Sequence, residues 1–121
     1  MTTLIHSALL GLIEQSGTAV TILVNGVQRA ELLHSRLTRV QVLRQLKTLA
    51  ESAGQVEPAA RREMPELDWD GWDTLYPRLC GPAGESLDDA LWFACESMVP
   101  ATLLWLQVYR QSQPEMFLMA P

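Results

Sequence analysis

The sequence predicts an all-α protein, an up-and-down bundle of four to five helices. Three observations carry that reading. Apolar residues recur at spacings of three and four over long stretches, no segment alternates convincingly as a strand would, and capping residues and helix breakers fall between the periodic stretches. The chain has 121 residues, 48% of them apolar, which suits one compact domain. We divide it into a bundle over residues 1–110 and a C-terminal tail over 111–121.

The first stripe is Ile5, Leu9, Leu12, Ile13, Ser16, Val20, Leu23, Val24 and Val27. It predicts a helix over 3–24, with Ser16 small enough for a close helix contact and Gly17 a weak point of about 1 kcal/mol. The β-branched run from Thr18 to Val24 also has strand character, but the helical stripe passes through it in phase. A short helix follows over Val27 to Leu33. Thr38, with Gln41 three residues on, reads as a capping box opening a helix over 38–54, with Val42, Leu43, Leu46, Leu49, Ala50 and Ala53 facing inward and Gly54 as its stop. Pro58 to Glu63 forms another short helix. Asp68 is a good N-cap for a helix that Pro77 should break or kink, with Asp70 and Asp73 favouring its positive end. Cys80 to Gly84 is a loop by composition. Ser86 with Asp89 resembles a capping box, and Asp88 and Asp89 serve the start of a last helix over 87–110, kinked at Pro100. The expected core includes Leu46, Leu49, Trp69, Leu91, Trp92 and Leu103. The tail, with Met116, Phe117, Leu118 and Met119, has three open fates: packing back on the bundle, docking on a partner, or hanging free.

Charge is unevenly spread. Residues 29–62 hold seven basic groups against three acids, whereas residues 63–96 hold only Arg78 against nine acids. Such segments form two solvated faces, or opposed patches that complement a partner. The net charge of -5 argues against free-standing nucleic-acid binding, which needs clustered Lys and Arg. Two cysteines without metal-site spacing suit a reducing cytosol. The start lacks a basic segment before its apolar stretch, and no uninterrupted apolar run reaches the ~18 residues of a membrane span, so a cytoplasmic protein is expected.

Residues with chemical potential are few. His6 and His34 are far apart in sequence, and the Asp68, Asp70, Asp73 trio reads better as a helix start than as a cation site. No phosphate-binding glycine loop, serine elbow or Cys–His pair is visible. No metal and no cofactor are expected.

Several short stretches, in order, resemble one family. Val42 to Ala53 resembles a helix ending in a Gly-Glu-Ala step, with Ala50 in place of the glycine and Glu51 keeping the acid. Met64-Pro65-Glu66-Leu67-Asp68-Trp69 resembles the Pro-x-x-x-Trp that opens the next helix. Leu87 to Trp92 resembles an Asp-rich cap with its Trp, and Val99-Pro100 an internal Leu-Pro. Over residues 4–110 the chain is thereby similar to HepT-like HEPN proteins. That resemblance implies a dimeric helical bundle, and for active members a metal-independent RNase toxin opposed by a nucleotidyltransferase-type antitoxin. Their site is an Arg, then four to six residues, then His, any residue and Tyr, with His and Arg assisting attack of the ribose 2′-hydroxyl. Aligned on Trp69 and Trp92, these positions hold Tyr76, Gly81 and Ala83, with Arg78 nearby and no histidine from Arg78 to Leu91. The scaffold is thus expected without the activity: a non-catalytic, homodimeric binding protein in a toxin–antitoxin or phage-defence setting. The rival expectation is a divergent RNase toxin using Arg78, Tyr76 and a histidine, His6 or His34, brought in from elsewhere. A third is a small helical subunit of a nucleoprotein complex that uses the Arg29–Lys47 region.

Overall fold

A computed structural model describes the backbone of residues 2–118 and the side chains of residues 4–118, so Met1 and residues 119–121, Met119 among them, lie outside the described residues. The described residues are helical, with no strand. Seven α-helical segments occur: α1 (Thr2–Val24), α2 (Arg29–His34), α3 (Arg36–Gly54), α4 (Pro58–Glu63), α5 (Trp69–Leu79), α6 (Glu85–Phe93) and α7 (Val99–Ser112). A π-helical turn, Ala94–Met98, joins α6 to α7, and a 3₁₀ turn, Pro114–Phe117, follows α7. The count exceeds the four to five rods of the expected bundle because the two short helices expected at Val27–Leu33 and Pro58–Glu63 are both present, as α2 and α4, and the last long helix is divided.

Four rods form the bundle: α1, α3, α5 and the α6–α7 pair. His6 near the start of α1 approaches Glu57 just beyond the end of α3. Arg61 ties Asp73 of α5 to the carbonyl of Ala53 of α3. Glu14 and Gly17 of α1 meet Arg110 and Leu103 of α7 in reverse order. Successive rods therefore run up and down. Leu10, Ile13, Leu46, Leu49, Trp72, Leu79, Leu91 and Leu106 are almost wholly buried between them.

The stripe on α1 is rotated from the expected one. Ser7, Leu9, Leu10, Ile13, Ser16 and Val20 are buried, while Ile5 and Leu12 are exposed. Gly17 explains the rotation: a Cβ there would stand 3.0 Å from Leu103 Cδ2, so the missing side chain lets α7 approach α1 closely. The 23-residue α1 accommodates that glycine without interruption, Thr18 to Val24 included.

Several caps also differ. Ser35, not Thr38, precedes α3, and its hydroxyl donates to Thr38 Oγ1 at 3.0 Å. Asp68 caps α5 as expected, accepting from the Gly71 amide at 2.9 Å. Pro77 neither breaks nor ends α5, which runs on to Leu79: its ring sits on the exposed side while Leu75 and Leu79 hold the buried side. Gly84, at φ 152°, precedes α6, so Ser86 lies inside the helix and caps nothing. Asp88 lies in the first turn of α6 as expected and also pairs with Arg39, while Asp89, one residue further in, pairs with Arg29.

The last helix departs most from expectation. Pro100 has no N–H and its ring crowds the carbonyl four residues back. The chain widens into the π turn, in which the Val99 amide bonds to the Ala94 carbonyl, and α7 then starts afresh with Pro100 in its first turn, where no N–H is required. The extra residue advances the buried stripe by about 100°. Thr102, Leu106 and Tyr109 are inside, Leu103 is only half-buried, and Leu104 and Val108 face out. Trp92 is also half-buried, against expectation. Of the other indoles, Trp72 donates to Thr102 Oγ1 at 3.1 Å and Trp69 to the Met64 carbonyl at 2.9 Å, so both are buried with their polar atoms satisfied.

The tail turns back on the bundle. Ser7 Oγ donates to the Met116 carbonyl at 2.9 Å, Phe117 is buried, and the Arg110 guanidinium lies 4.5 Å from its ring centroid.

Leu46 is fully buried. We expect Leu46→Ala to lower unfolding free energy by about 2–5 kcal/mol, read as a shift in urea midpoint. Gly17→Leu should cost about 1–3 kcal/mol by overpacking the α1–α7 contact, whereas Gly11→Leu, where no other atom lies within 4 Å of the added Cβ, should cost far less by the same measurement.

Candidate functional site

Two places hold Tyr76, Arg78 and His6, candidates the sequence offers. The first is the end of α5 and the loop after it, where the sequence placed the residual RNase candidates. Arg78 is exposed, and its Nη2 donates to the Ser86 carbonyl at 3.1 Å, so the guanidinium closes the loop between α5 and α6. Tyr76 is half-buried; its phenol is held above its ordinary value first by a hydrogen bond with the Cys80 thiol and then by the charges of Cys80 and Glu51. A phenol so held is neutral near pH 7 and is poorly placed to accept a proton. Gly81 and Ala83 bring no functional group. Neither His6 nor His34 makes a hydrogen bond or ion pair with Arg78 or Tyr76 among the described residues.

The second place is a cavity of about 250 Å³ between the start of α1, α4 and the tail. His6, Glu57, Glu63, Met64 and Met116 line it, with Leu10 as part of its floor. His6 Nε2 is buried 3.7 Å from Glu57 Oε2, beyond hydrogen-bond reach, and has no other partner among the described residues. Sequence spacing had given His6 no neighbouring carboxylate. Its approach to Glu57 is a tertiary event, made when α3 runs antiparallel to α1, and no local signal announces it. The tail completes this cavity through Met116, which Ser7 holds.

No group of three or more metal-ligating side chains gathers among the described residues. The Asp68, Asp70, Asp73 trio divides its labour instead: Asp68 caps α5, and Asp73 accepts two hydrogen bonds from Arg61, at 2.7 and 3.0 Å. Asp73 thus serves a tertiary pair and not the helix start. That bond is also the foremost cause raising the Arg61 pKa, against the opposing effect of burial.

The basic and acidic halves of the chain meet each other. Arg29 pairs with Asp89, Arg39 with Asp88 and Arg61 with Asp73, each across the boundary between the two segments. Much of the charge asymmetry is thereby satisfied inside one molecule. Two helical stretches, Leu4–Val24 and Glu85–Ser112, are long and apolar enough on average to cross a membrane by length and composition, although charged or polar residues interrupt both. Each contributes its buried stripe to the bundle core.

No protein-family model matches this chain, and neither a curated protein nor a solved structure does.

Cys80 is an exposed thiol and Cys95 a buried one, whose pKa burial pushes up to about 12. Folding keeps Cys95 protonated where the unfolded thiol, near 9.0, would ionise. The unfolded state then binds fewer protons, so stability is full below pH 9 and falls as pH rises towards 12. We expect the melting temperature to decline more steeply above pH 9 in the native chain than in Cys95→Ala. A thiol reagent at neutral pH should label Cys80 in the folded protein and both cysteines in urea.

Proposed function

We propose that this protein is a non-catalytic, HEPN-like binding protein that works as a two-fold homodimer. The observation that carries the reading is a pair of exposed apolar helix faces, one on α1 on the side away from Gly17 and one on α7. On α1, Leu4, Ile5, Leu12 and Ile22 are exposed and fall within roughly 100° of the helix circumference. On the outer side of α7, Leu104 and Val108 are exposed one turn apart. Scattered apolar residues are ordinary on a surface, but a helix face of this kind marks an interaction site.

The family resemblance supplies the direction of the reading. It favours a second copy as the first partner, and a nucleotidyltransferase-type antitoxin or another protein as the next, in a toxin–antitoxin or phage-defence setting in the cytoplasm and without membrane insertion. Against RNA cleavage stand the residues at the family's catalytic positions. Gly81 and Ala83 cannot move a proton, and Arg78 is engaged with the Ser86 carbonyl. Loss of general acid–base help alone costs about 10²–10⁴ in rate. RNA binding is disfavoured by the pairing of Arg29 and Arg39 with acids of α6.

Sedimentation at micromolar concentration is expected to give a dimer, and Leu12→Glu, on the exposed face, a folded monomer. A monomeric native chain would overturn the reading. Purified protein is expected to leave structured and unstructured RNA intact, with and without magnesium. Cleavage that disappears in Arg78→Ala would instead establish the divergent RNase.

A further inference from the structure

Twice in this molecule an arginine is held by the same pair of partners, one carboxylate and one aromatic ring. Arg61 pairs with Asp73 and lies 5.3 Å from the centroid of Trp69. Arg110 pairs with Glu14 and lies 4.5 Å from the centroid of Phe117. The combination suits guanidinium, which is flat, weakly hydrated and always charged, so it can stack on a ring while its N–H groups meet a carboxylate.

A third set of the same partners exists without its arginine. Beside the π turn lies a cavity of about 180 Å³, walled on one side by Phe93 and Trp105 and on the other by Glu66 and Asp68. Met98 and Thr102 are among its lining residues, and both are buried. Its volume equals that of about six waters in the liquid, room enough for an arginine side chain beyond Cβ. Neither Glu66 nor Asp68 has an ion-pair partner among the described residues, and no arginine or lysine stacks on Phe93 or Trp105 among them. Asp68 Oδ1 is committed to capping α5, so Glu66 is the freer anion. Phe93 is 51% exposed and immediately precedes the π turn. Turns of that kind recur at functional sites because they re-aim side chains.

We infer that this cavity receives one arginine side chain of a partner polypeptide. The inference rests on the reading of the protein as a binding module and names the chemistry one partner presents. The guanidinium stacks on one of these two rings, as in the two internal sets, and meets the carboxylate of Glu66, with Asp68 adding negative potential. A neutral or anionic side chain gains nothing from these carboxylates. A lysine ammonium, more strongly hydrated and unable to stack as a plane, gains less than arginine.

The test uses the full chain with nitrogen-15 labelling, following the Trp105 indole signal identified by its absence in Trp105→Phe. A capped arginine amide is titrated against capped lysine and capped citrulline, the last a neutral near-isostere of arginine. We expect a saturable shift of the Trp105 signal with the arginine compound, a weaker response to lysine and none to citrulline. Glu66→Gln and Phe93→Ala, both at exposed positions, should each weaken arginine binding about two- to fivefold while leaving the fold unchanged. An arginine inside a short capped peptide should bind at least as well as the single capped residue. Equal responses to arginine and citrulline, or to arginine and lysine, would overturn the assignment. Tighter binding of free arginine than of the capped peptide would make the ligand the amino acid and not a polypeptide, and would likewise overturn it. A Trp105 signal that moves on dilution of the chain alone would show a second copy filling the cavity, with the same consequence. Failure of all these titrations beside an intact dimer in sedimentation removes the arginine site and leaves the proposed function standing.

Discussion

A proline that cannot donate a hydrogen bond sets the form of the C-terminal half of this bundle. Pro100 falls in the middle of the longest helical stretch, and the chain answers by inserting the π turn from Ala94 to Met98. One added residue turns everything beyond it by roughly 100°. Without that turn, the stripe begun by Leu87, Ala90, Leu91 and Ala94 would continue through Ala101, Trp105 and Val108. With it, Thr102, Leu106 and Tyr109 go inside, and Thr102 comes within reach of the Trp72 indole. The central polar contact of the core and the exposure of Leu104 and Val108 both follow from this one phase shift.

Much of the architecture is legible in the sequence because it depends on local periodicity and local chemistry. The extents of α1 and α4, the stop at Gly54, the cap at Asp68 and the burial of Leu46, Leu49, Trp69 and Leu91 arise within a few turns of chain. The misses arise where two segments negotiate. Ile5 and Leu12 satisfy the helical spacing as well as Leu10 does, and only the close approach at Gly17 decides which face turns inward. Ser35 displaces Thr38 as the residue before α3 because α2 and α3 share it as their junction. Leu103 looks like a core residue until the π turn changes the phase, whereas Trp92, which precedes that turn, flanks the buried stripe of Leu87, Ala90, Leu91 and Ala94.

The candidate site was less legible than the fold, for the same reason. Tyr76 and Arg78 are easily found by aligning tryptophans, yet their partners, Cys80 and the Ser86 carbonyl, are revealed by the loop's conformation. The approach of His6 to Glu57 and the closing of that cavity by Met116 join residues from three parts of the chain. The arginine–carboxylate–aromatic sets are likewise invisible in sequence, since Arg110 and Glu14 sit almost at opposite ends. Helical patterning specifies which residues are inside far better than it specifies which polar residues meet outside.

The ion pairs between the two halves have a consequence for polyanions. Arg29 and Arg39 each hold a carboxylate of α6. A phosphate seeking either guanidinium meets a competitor tethered to the same chain, and even a flexible tether keeps such a group at a local concentration of roughly millimolar. The folded scaffold holds it closer still. The chain carries an inhibitor of its own basic surface, and added salt, which loosens exposed pairs, screens the incoming phosphate as well. Each of these two guanidinium groups is thus less open to a phosphate than an unpaired surface arginine.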